Sequence, residues 1–297
     1  MPAICSLIAG PGAIGALACA QAQLYGPVWA YAHRPKLSLA TECRRTPTSV
    51  PLLWQPLSAA EDTVELIWIC CKAYQAQATA EVLLNRYPNA VAILLHNGMG
   101  PQQQLAKQFP GRLIWGTTTC GALKLDPYTF QQTGYGTSHL GLPPSSSARS
   151  PAAAMLAHLA TWHGPLNPIV TEQVEPLLWQ KILINAVINP ITAAHQIRNG
   201  QLLEPAFAAE IDGLCGEIGQ LMQHLKLPAI ANPHQLIQKV ATLTAENRSS
   251  MAEDVRTGRP TEIDYITGFL LHQAHGFGLA TPFLAKWHKQ IAQAGKS

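Results

Sequence analysis

The stretch ICSLIAGPGAIGALACAQAQ, residues 4–23, decides how the chain folds. It carries Gly10, Gly12 and Gly15 in the spacing G-x-G-x-x-G, after a short apolar run and before small helix-forming residues. That order predicts a strand, a tight turn and a helix, with the glycines allowing the turn, the approach of a pyrophosphate and close helix packing. The phosphates of a dinucleotide would lie on N–H groups at the helix N-terminus. The predicted contacts are Gly10, Pro11, Gly12, Ala13, Ile14 and Gly15.

Two other interpretations of this stretch are a turn that binds no ligand and a secretory signal peptide. Because the chain has 22 glycines, such a spacing also arises by chance in turns that bind nothing. The flanking strand and helix patterns favour the dinucleotide site. A secretory signal peptide is disfavoured, since no Lys or Arg precedes Arg34 and Gly-Pro-Gly interrupts the apolar stretch.

The residue that follows the second predicted strand indicates which dinucleotide binds. Residues 28–32 form a short apolar run, and Arg34 follows it where an NAD enzyme usually carries Asp or Glu for the ribose hydroxyls. A guanidinium can instead pair with a 2′-phosphate, so Arg34 predicts NADP. An exposed arginine on a polar loop is the open alternative.

Three further apolar runs, residues 66–71, 91–95 and 113–117, predict strands that are covered on both faces. They alternate with helical patterns, so the first half of the chain is predicted to be an α/β domain with a parallel sheet. Ligands of such sheets bind beyond the carboxyl ends of the strands, which makes Lys72, Asn97 and the segment from Thr117 to Ala122 candidate cofactor contacts. Ordinary loop polarity is the alternative. Residues 129–140 predict antiparallel strands at the edge of the sheet.

The composition excludes several classes of protein. The chain has 297 residues, of which 47% are hydrophobic and 12% charged, and its net charge of +3 gives no field for nucleic acid. Its apolar runs are too short for a membrane helix. The seven cysteines form no C-x-x-C pair, which indicates reduced thiols in a cytoplasmic protein. The 11 histidines form no H-E-x-x-H motif, so no metal site is expected.

Residues 171–297 show only helical periodicities broken by proline, which predict helices over residues 177–189, 205–225, 233–244, 263–276 and 282–293. The first of these helices carries a polar stripe. Lys181, Asn185 and Asn189 are spaced i, i+4, i+8, which places an ammonium and two carboxamides on one side of an apolar helix. Asn is a poor helix former, so its repetition favours a substrate-facing stripe over a solvated one. Asn199, Ser250 and Glu262 are polar candidates for the same pocket, although residues 246–265 could simply cap two helices.

These residues lie in motifs that together resemble the ketopantoate reductase family (2-dehydropantoate 2-reductase) over nearly the whole chain. The motifs are G-x-G-x-x-G at Gly10 to Gly15, Lys72 after a strand, H-N-G-M-G at His96 to Gly100, G-T-T-T at Gly116 to Thr119, K-x-x-x-N-x-x-x-N at Lys181 to Asn189, N-R-S-S-M at Asn247 to Met251, and T-E-I-D-Y-I-T-G at Thr261 to Gly268.

The resemblance implies a Rossmann-type NADP-binding domain, residues 1–170, and an all-helical domain like the C-terminal domain of 6-phosphogluconate dehydrogenase, residues 171–297. It also implies an active site between the two domains. The activity implied is NADPH-dependent reduction of 2-dehydropantoate to pantoate, a step in pantothenate and coenzyme A biosynthesis. The expected partner is a small keto acid, without nucleic acid or membrane, and the expected state is a cytoplasmic monomer or homodimer.

The family also implies roles for single residues. Lys181 resembles the general acid, Asn97 would lie between substrate and nicotinamide, and Glu262 would hold the cofactor from the helical domain. The remaining family matches are substrate contacts at Asn185, Asn189, Asn199 and Ser250, and cofactor contacts at Lys72 and Ala122. The chain departs from the family at residues 120–122, where Cys-Gly-Ala stands in place of a common His-Ala-Ala.

Two rival functions use the same scaffold. One is an NADP-dependent reductase of another 2-keto or 3-hydroxy acid, because substrate identity depends on side-chain detail. The other is a nucleotide-binding regulator without catalysis. A regulator has no need of a proton donor, so Lys181, Asn185 and Glu262 favour an enzyme.

Overall fold

The computed structural model describes residues 3–32, 42–44, 49–57 and 63–294. The chain divides into two compact units. Unit 1 contains Met1–His96 and Pro101–Leu177, and unit 2 contains Asn97–Gly100 and Leu178–Ser297. The division after Leu177 falls inside a helix, whereas the sequence predicts a boundary at residue 170.

The strands of unit 1 are short and mostly buried. They are β1 (Ser6–Ala9), β2 (Val28–Tyr31), β3 (Glu42–Arg44), β4 (Ser49–Pro51), β5 (Gln55–Pro56), β6 (Leu66–Ile69), β7 (Val91–Leu94), β8 (Leu113–Thr118), β9 (Gly121–Lys124), β10 (Thr129–Gly134), β11 (Ser138–Gly141) and β12 (Pro168–Val170).

Eight of these strands form the main sheet, in the order β12-β11-β8-β7-β6-β1-β2-β5. All its pairs are parallel except β8 with β11, which is antiparallel. Every residue of β1, β6 and β7 is buried, as expected for strands that are covered on both faces. The predicted α/β fold with a parallel sheet is confirmed.

The helices of unit 1 are α1 (Ala13–Ala22), α2 (Ala73–Arg86), α3 (Pro101–Gln108) and α4 (Pro151–Leu159). Small residues of α1 and apolar residues of α4 share one buried cluster with one face of the sheet. Within that cluster Trp68 of β6 lies against Trp162, with 6.3 Å between ring centroids. This core holds α1 on the sheet, directly after the glycine turn.

A second sheet, in the order β4-β3-β10-β9, was not expected. The sequence predicts that residues 129–140 form antiparallel strands at the edge of the main sheet. Of these, only β11 joins that sheet, antiparallel to β8, and β12 pairs with its other side. β10 pairs instead with β3 and β9. β3 and β4 have three residues each, too few for a periodic pattern to identify them.

The regular elements among the described residues of unit 2 are all helices, which confirms the all-helical prediction. Its helices are α5 (Val174–His195, which begins in unit 1), α6 (Ala208–His224), α7 (Pro233–Leu243), α8 (Ser250–Arg256), α9 (Ile263–Gly276) and α10 (Pro282–Ala294), with short 3-10 helices at Asn199–Leu203 and Pro205–Phe207. Across the described ranges, none of the helices has the length and apolar character needed to cross a bilayer.

Candidate active site

Two glycines of the first turn are required by the fold itself. Gly10 directly follows β1 with φ +86°, and a Cβ there would lie 2.5 Å from the backbone nitrogen of Cys71. A Cβ on Gly15 would lie 2.2 Å from the carbonyl oxygen of Gly10. No side chain fits at either position, so these glycines let the turn form and let α1 pack against it.

Gly12 differs, because a Cβ there would meet no atom of the described residues within 4 Å beyond its chain neighbours and its own helix backbone. Gly12 is exposed and is the N-cap of α1, and no side chain caps the helix. The first N–H groups of a helix have no intrahelical acceptor, and the first turn of α1 carries no acidic residue. Open space beside N–H donors at a positive helix end suits a pyrophosphate, so the residues present fit a dinucleotide.

The glycine turn lies where the order of the sheet reverses. β1 pairs with β2 on one side and with β6 on the other. Cys70 N donates to Ala9 O at 2.8 Å, and Cys71 follows beside Gly10. Lys72 comes next, as the half-buried N-cap of α2. The structure therefore brings Lys72 close to the glycine turn at a topological switch point, where open α/β sheets bind ligands.

Arg34 and Ala122 are two further predicted cofactor contacts. Arg34 lies outside the described residues, so the 2′-phosphate contact stays a prediction. Ala122 lies on β9 in the second sheet, half-buried against the core cluster that contains α1. Its contact with the cofactor also stays a prediction.

In unit 2 the polar stripe lies on α5 as the spacing predicts. Lys181 and Asn185 are half-buried, and Asn189 is 7% exposed. The helix residues between them are largely buried and apolar, including Ile182, Leu183, Ala186, Val187 and Ile188. The stripe is therefore sheltered, which excludes a fully solvated face.

Asn199 lies beyond α5 in a buried position. Its backbone N–H donates to Asn247 O at 2.9 Å, and its Nδ2 donates to Thr244 Oγ1 at 2.9 Å. Its Oδ1 is buried and has no hydrogen-bond partner among the described residues. A buried acceptor without a donor costs free energy, so this atom suits a ligand that donates a hydrogen bond.

Ser250 is the exposed first residue of α8, and Ser249 before it is the N-cap. Ser249 Oγ accepts from Ala252 N at 3.1 Å. The predicted capping role therefore belongs to Ser249. Ser250 keeps its hydroxyl available on the surface of the first turn.

Asn97 and Glu262 come together in unit 2. Asn97 Nδ2 donates to Glu262 Oε2 at 3.3 Å, and Glu262 is 3% exposed at the start of α9. Met99 N donates to Tyr265 O at 2.8 Å. Gly98 has φ +76°, and a Cβ there would lie 2.4 Å from Tyr265 O. Residues 97–100 are thus held against the start of α9.

This attachment of residues 97–100 to α9 was missed by sequence reasoning. Gly98 in this segment indicates a close approach of another backbone, but nothing in the sequence identifies α9 as the partner. Among the described residues, no group of three or more His, Cys, Asp or Glu side chains could hold a metal ion.

Comparisons with known proteins agree with this architecture in both units. The family model described as Ketopantoate reductase PanE/ApbA matches residues 6–145, and its C-terminal counterpart matches residues 173–294. The chain is 31% identical to the 2-dehydropantoate 2-reductase of Vibrio cholerae serotype O1 over 96% of both chains.

Solved structures show the same fold. The probable 2-dehydropantoate 2-reductase of Bacillus subtilis is 25% identical with a TM-score of 0.80, over 98% of this chain and 100% of that one. D-mandelate dehydrogenase, solved with NADH and anilino(oxo)acetate, is 19% identical with a TM-score of 0.86 over 99% of both chains. The second likeness is one of fold alone.

Proposed function

This chain belongs to the ketopantoate reductase family, and we propose on that premise that it reduces 2-dehydropantoate to pantoate with NADPH. The chain is therefore an oxidoreductase that acts on a small keto acid. The observation that carries the proposal is the sheltered stripe of α5, where one amine stands in line with two carboxamides.

Unit 1 carries the residues that we assign to the phosphates of the cofactor. We assign the pyrophosphate to the turn from Gly10 to Gly15, with Lys72 beside it, and the 2′-phosphate to Arg34. When bound, NADPH supplies the hydride for the substrate. The glycine turn and the α1 N-terminus hold its negative charge with N–H donors.

The substrate half belongs to unit 2. As a 2-keto group is reduced, negative charge develops on its oxygen, and an ammonium at hydrogen-bond distance stabilises that charge and donates a proton. We assign this role to Lys181. Asn185, Asn189, Asn199 and Ser250 orient the carboxylate and hydroxyl of the substrate without adding a competing charge.

Glu262 and Asn97 form a positioned pair within this half. Because Glu262 accepts from Asn97 Nδ2, the amide of Asn97 is held in one orientation. We propose that Asn97 contacts substrate and cofactor and that Glu262 also accepts from a cofactor hydroxyl.

The product, pantoate, is a step towards pantothenate and coenzyme A. We place the enzyme in the cytoplasm, because all seven cysteines are free thiols, as is usual in a reducing compartment. We propose that it works as a monomer or homodimer on this keto acid and binds neither nucleic acid nor membrane. Mass measurement in solution tests the oligomeric state.

The experiment follows the absorbance of NADPH with ketopantoate and, separately, with 2-keto acids that lack a hydroxyl group. We expect rapid oxidation with ketopantoate and much slower oxidation with the others. Oxidation only with another keto acid would support the rival reductase. Tight NADPH binding without oxidation of any keto acid would support the regulator.

A further inference from the structure

Two buried hydroxyl groups join α5 to the beginning of α8. Thr192 Oγ1 donates to Ser249 Oγ at 2.8 Å, and the two residues are 0% and 6% exposed. Thr192 lies one helical turn after Asn189, and Ser249 directly precedes Ser250. The hydroxyl pair therefore links the two elements that carry predicted substrate contacts.

Each hydroxyl is also used by its own helix. Ser249 Oγ accepts from Ala252 N as the N-cap of α8. Thr192 Oγ1 lies 2.7 Å from Ile188 O, an alternative acceptor on α5. A serine N-cap and a threonine that bonds back to its own helix need no contact with each other. Their contact is thus an added link between helices.

Two further hydrogen bonds flank the hydroxyl pair. Gln196 Nε2 lies 3.4 Å from Ala252 O, and Arg248 Nη1 donates to Gln196 O at 2.8 Å. Because Gln196 is half-buried and Arg248 exposed, water competes for these bonds. The Thr192 to Ser249 bond is the buried member of the set.

The hydrogen bond from Thr192 to Ser249 lies next to a position where α5 lacks one of its own backbone hydrogen bonds. Pro190 lies inside α5 and has no N–H to donate to Ala186 O, so the helix loses one of its own bonds between Asn189 and its last turn. A helix that lacks a bond there depends on its neighbours to fix its course. Thr192 is the first polar side chain after this gap, and it is anchored outside the helix.

We propose that the Thr192–Ser249 pair is a positioning device that fixes Asn189 relative to Ser250 and so sets the affinity for the keto acid. The substrate part of this inference rests on the proposed function. Thr192 and Ser249 act through their neighbours and are positioning residues.

The test compares Thr192→Val, which keeps the shape and removes the hydroxyl, with Thr192→Ser, which keeps the hydroxyl. Thr267→Val is a matched control, because Thr267 is also 0% exposed and its hydroxyl donates to Ile263 O of its own helix at 3.2 Å. The readouts are amide hydrogen exchange of residues 250–256, KM for ketopantoate, KM for NADPH, and kcat.

We expect Thr192→Val to speed exchange in α8 and to raise KM for ketopantoate about tenfold, the effect of one buried hydrogen bond. KM for NADPH and kcat should stay within about twofold of wild type. Thr192→Ser should restore both affected readouts. Thr267→Val should leave KM for ketopantoate unchanged.

Three results would overturn the inference: unchanged exchange in Thr192→Val, faster exchange with unchanged KM, or an equal rise of KM in Thr267→Val. A wild-type chain that does not reduce ketopantoate would overturn the proposed function and, with it, the affinity part of the inference. The exchange measurement would still decide whether the pair holds α8 against α5.

Discussion

Gly10, Gly12 and Gly15 serve different purposes although the motif treats them alike. Gly10 and Gly15 lie against backbone atoms of unit 1, so the fold needs them whether or not a ligand binds. A Cβ on Gly12 would meet none of the described residues within 4 Å, so their packing does not require glycine there. A pyrophosphate bound at the turn would account for the missing side chain.

Gly12→Ala should therefore fold but bind NADPH poorly. Ala at a helix N-cap changes stability by about 1 kcal/mol or less relative to Gly, while its methyl group occupies space that the pyrophosphate needs. We expect the Kd for NADPH to rise at least about tenfold, a loss of about 1.4 kcal/mol. Thermal unfolding and a fluorescence titration with NADPH measure the two effects.

Gly10→Ala is the counterpart, because it combines a positive φ with a clash against Cys71. It should lower stability by about 2 kcal/mol or more. If Gly12→Ala kept wild-type affinity for NADPH, the pyrophosphate would not lie at this turn.

Arg34→Ala tests the choice of cofactor. Loss of the guanidinium removes a charge-assisted bond to the 2′-phosphate, which NADH lacks. We expect KM for NADPH to rise about tenfold or more, as for a bond worth about 1.5–3 kcal/mol, with KM for NADH little changed. Steady-state assays with each cofactor decide this. Equal losses with both would count against the contact.

For single residues, the sequence predicts neighbours on the same helix better than contacts between residues that are far apart in the chain. The spacing of Lys181, Asn185 and Asn189 follows from 3.6 residues per turn, so the stripe is readable directly. The bond from Asn97 to Glu262 joins positions 165 residues apart, and no local rule predicts it.

Among the helices and strands, the sequence predicts several helix ends correctly, but Pro190 predicts a helix end that the structure does not have. α9 matches the predicted range of residues 263–276, and Asn232 before Pro233 caps α7 with its side chain. The sequence predicts that α5 ends at Asn189 before Pro190, yet it continues to His195. Burial of Ile191, Thr192 and Ala193 outweighs the bond that proline removes.

The linker from α8 to α9 is held by hydrogen bonds to the last turn of α8. Gly258, with φ +64°, donates to Val255 O, and Arg259 N donates to Asp254 O at 2.8 Å, the Schellman pattern of a helix end. Arg259 Nε then bonds to the buried Asp254 carboxylate at 3.0 Å. This ordered linker leads directly to Glu262.

The carboxylate of Glu217 on α6 caps the N-terminus of α10. It accepts from Phe283 N at 2.7 Å and from Leu284 N at 2.9 Å. Burial raises the pKa of the Glu217 carboxyl above its ordinary value, against the lowering effect of these two bonds. Folding therefore favours the protonated form of this group.

The pH dependence follows from the raised pKa. The Glu217 contribution to stability is fully present below the unfolded pKa and is lost as pH rises through the folded pKa. Relative to Glu217→Gln, wild type should thus become less stable as pH rises through this window. Urea unfolding of both proteins over a pH series measures the difference. A wild-type advantage that grows with pH would contradict the assignment.

For the whole molecule, the two units carry separate parts of the proposed chemistry. The glycine turn and Lys72 belong to unit 1, and the stripe of α5, Asn199, Ser250, Asn97 and Glu262 belong to unit 2. The sequence predicts a boundary at residue 170, because strand patterns stop near there. It misses that Asn97–Gly100 joins unit 2, because the segment follows a strand of unit 1.

Proton donation by the ammonium of Lys181 in the NADPH-dependent reduction of the keto acid is tested most directly by kcat of Lys181→Ala. The matched control is Lys289→Ala, at an exposed lysine on α10. We predict that kcat with ketopantoate falls by a factor of about 10² to 10⁴ in Lys181→Ala, with NADPH affinity near wild type, and that Lys289→Ala keeps full activity. Unchanged turnover in Lys181→Ala would contradict proton donation by Lys181.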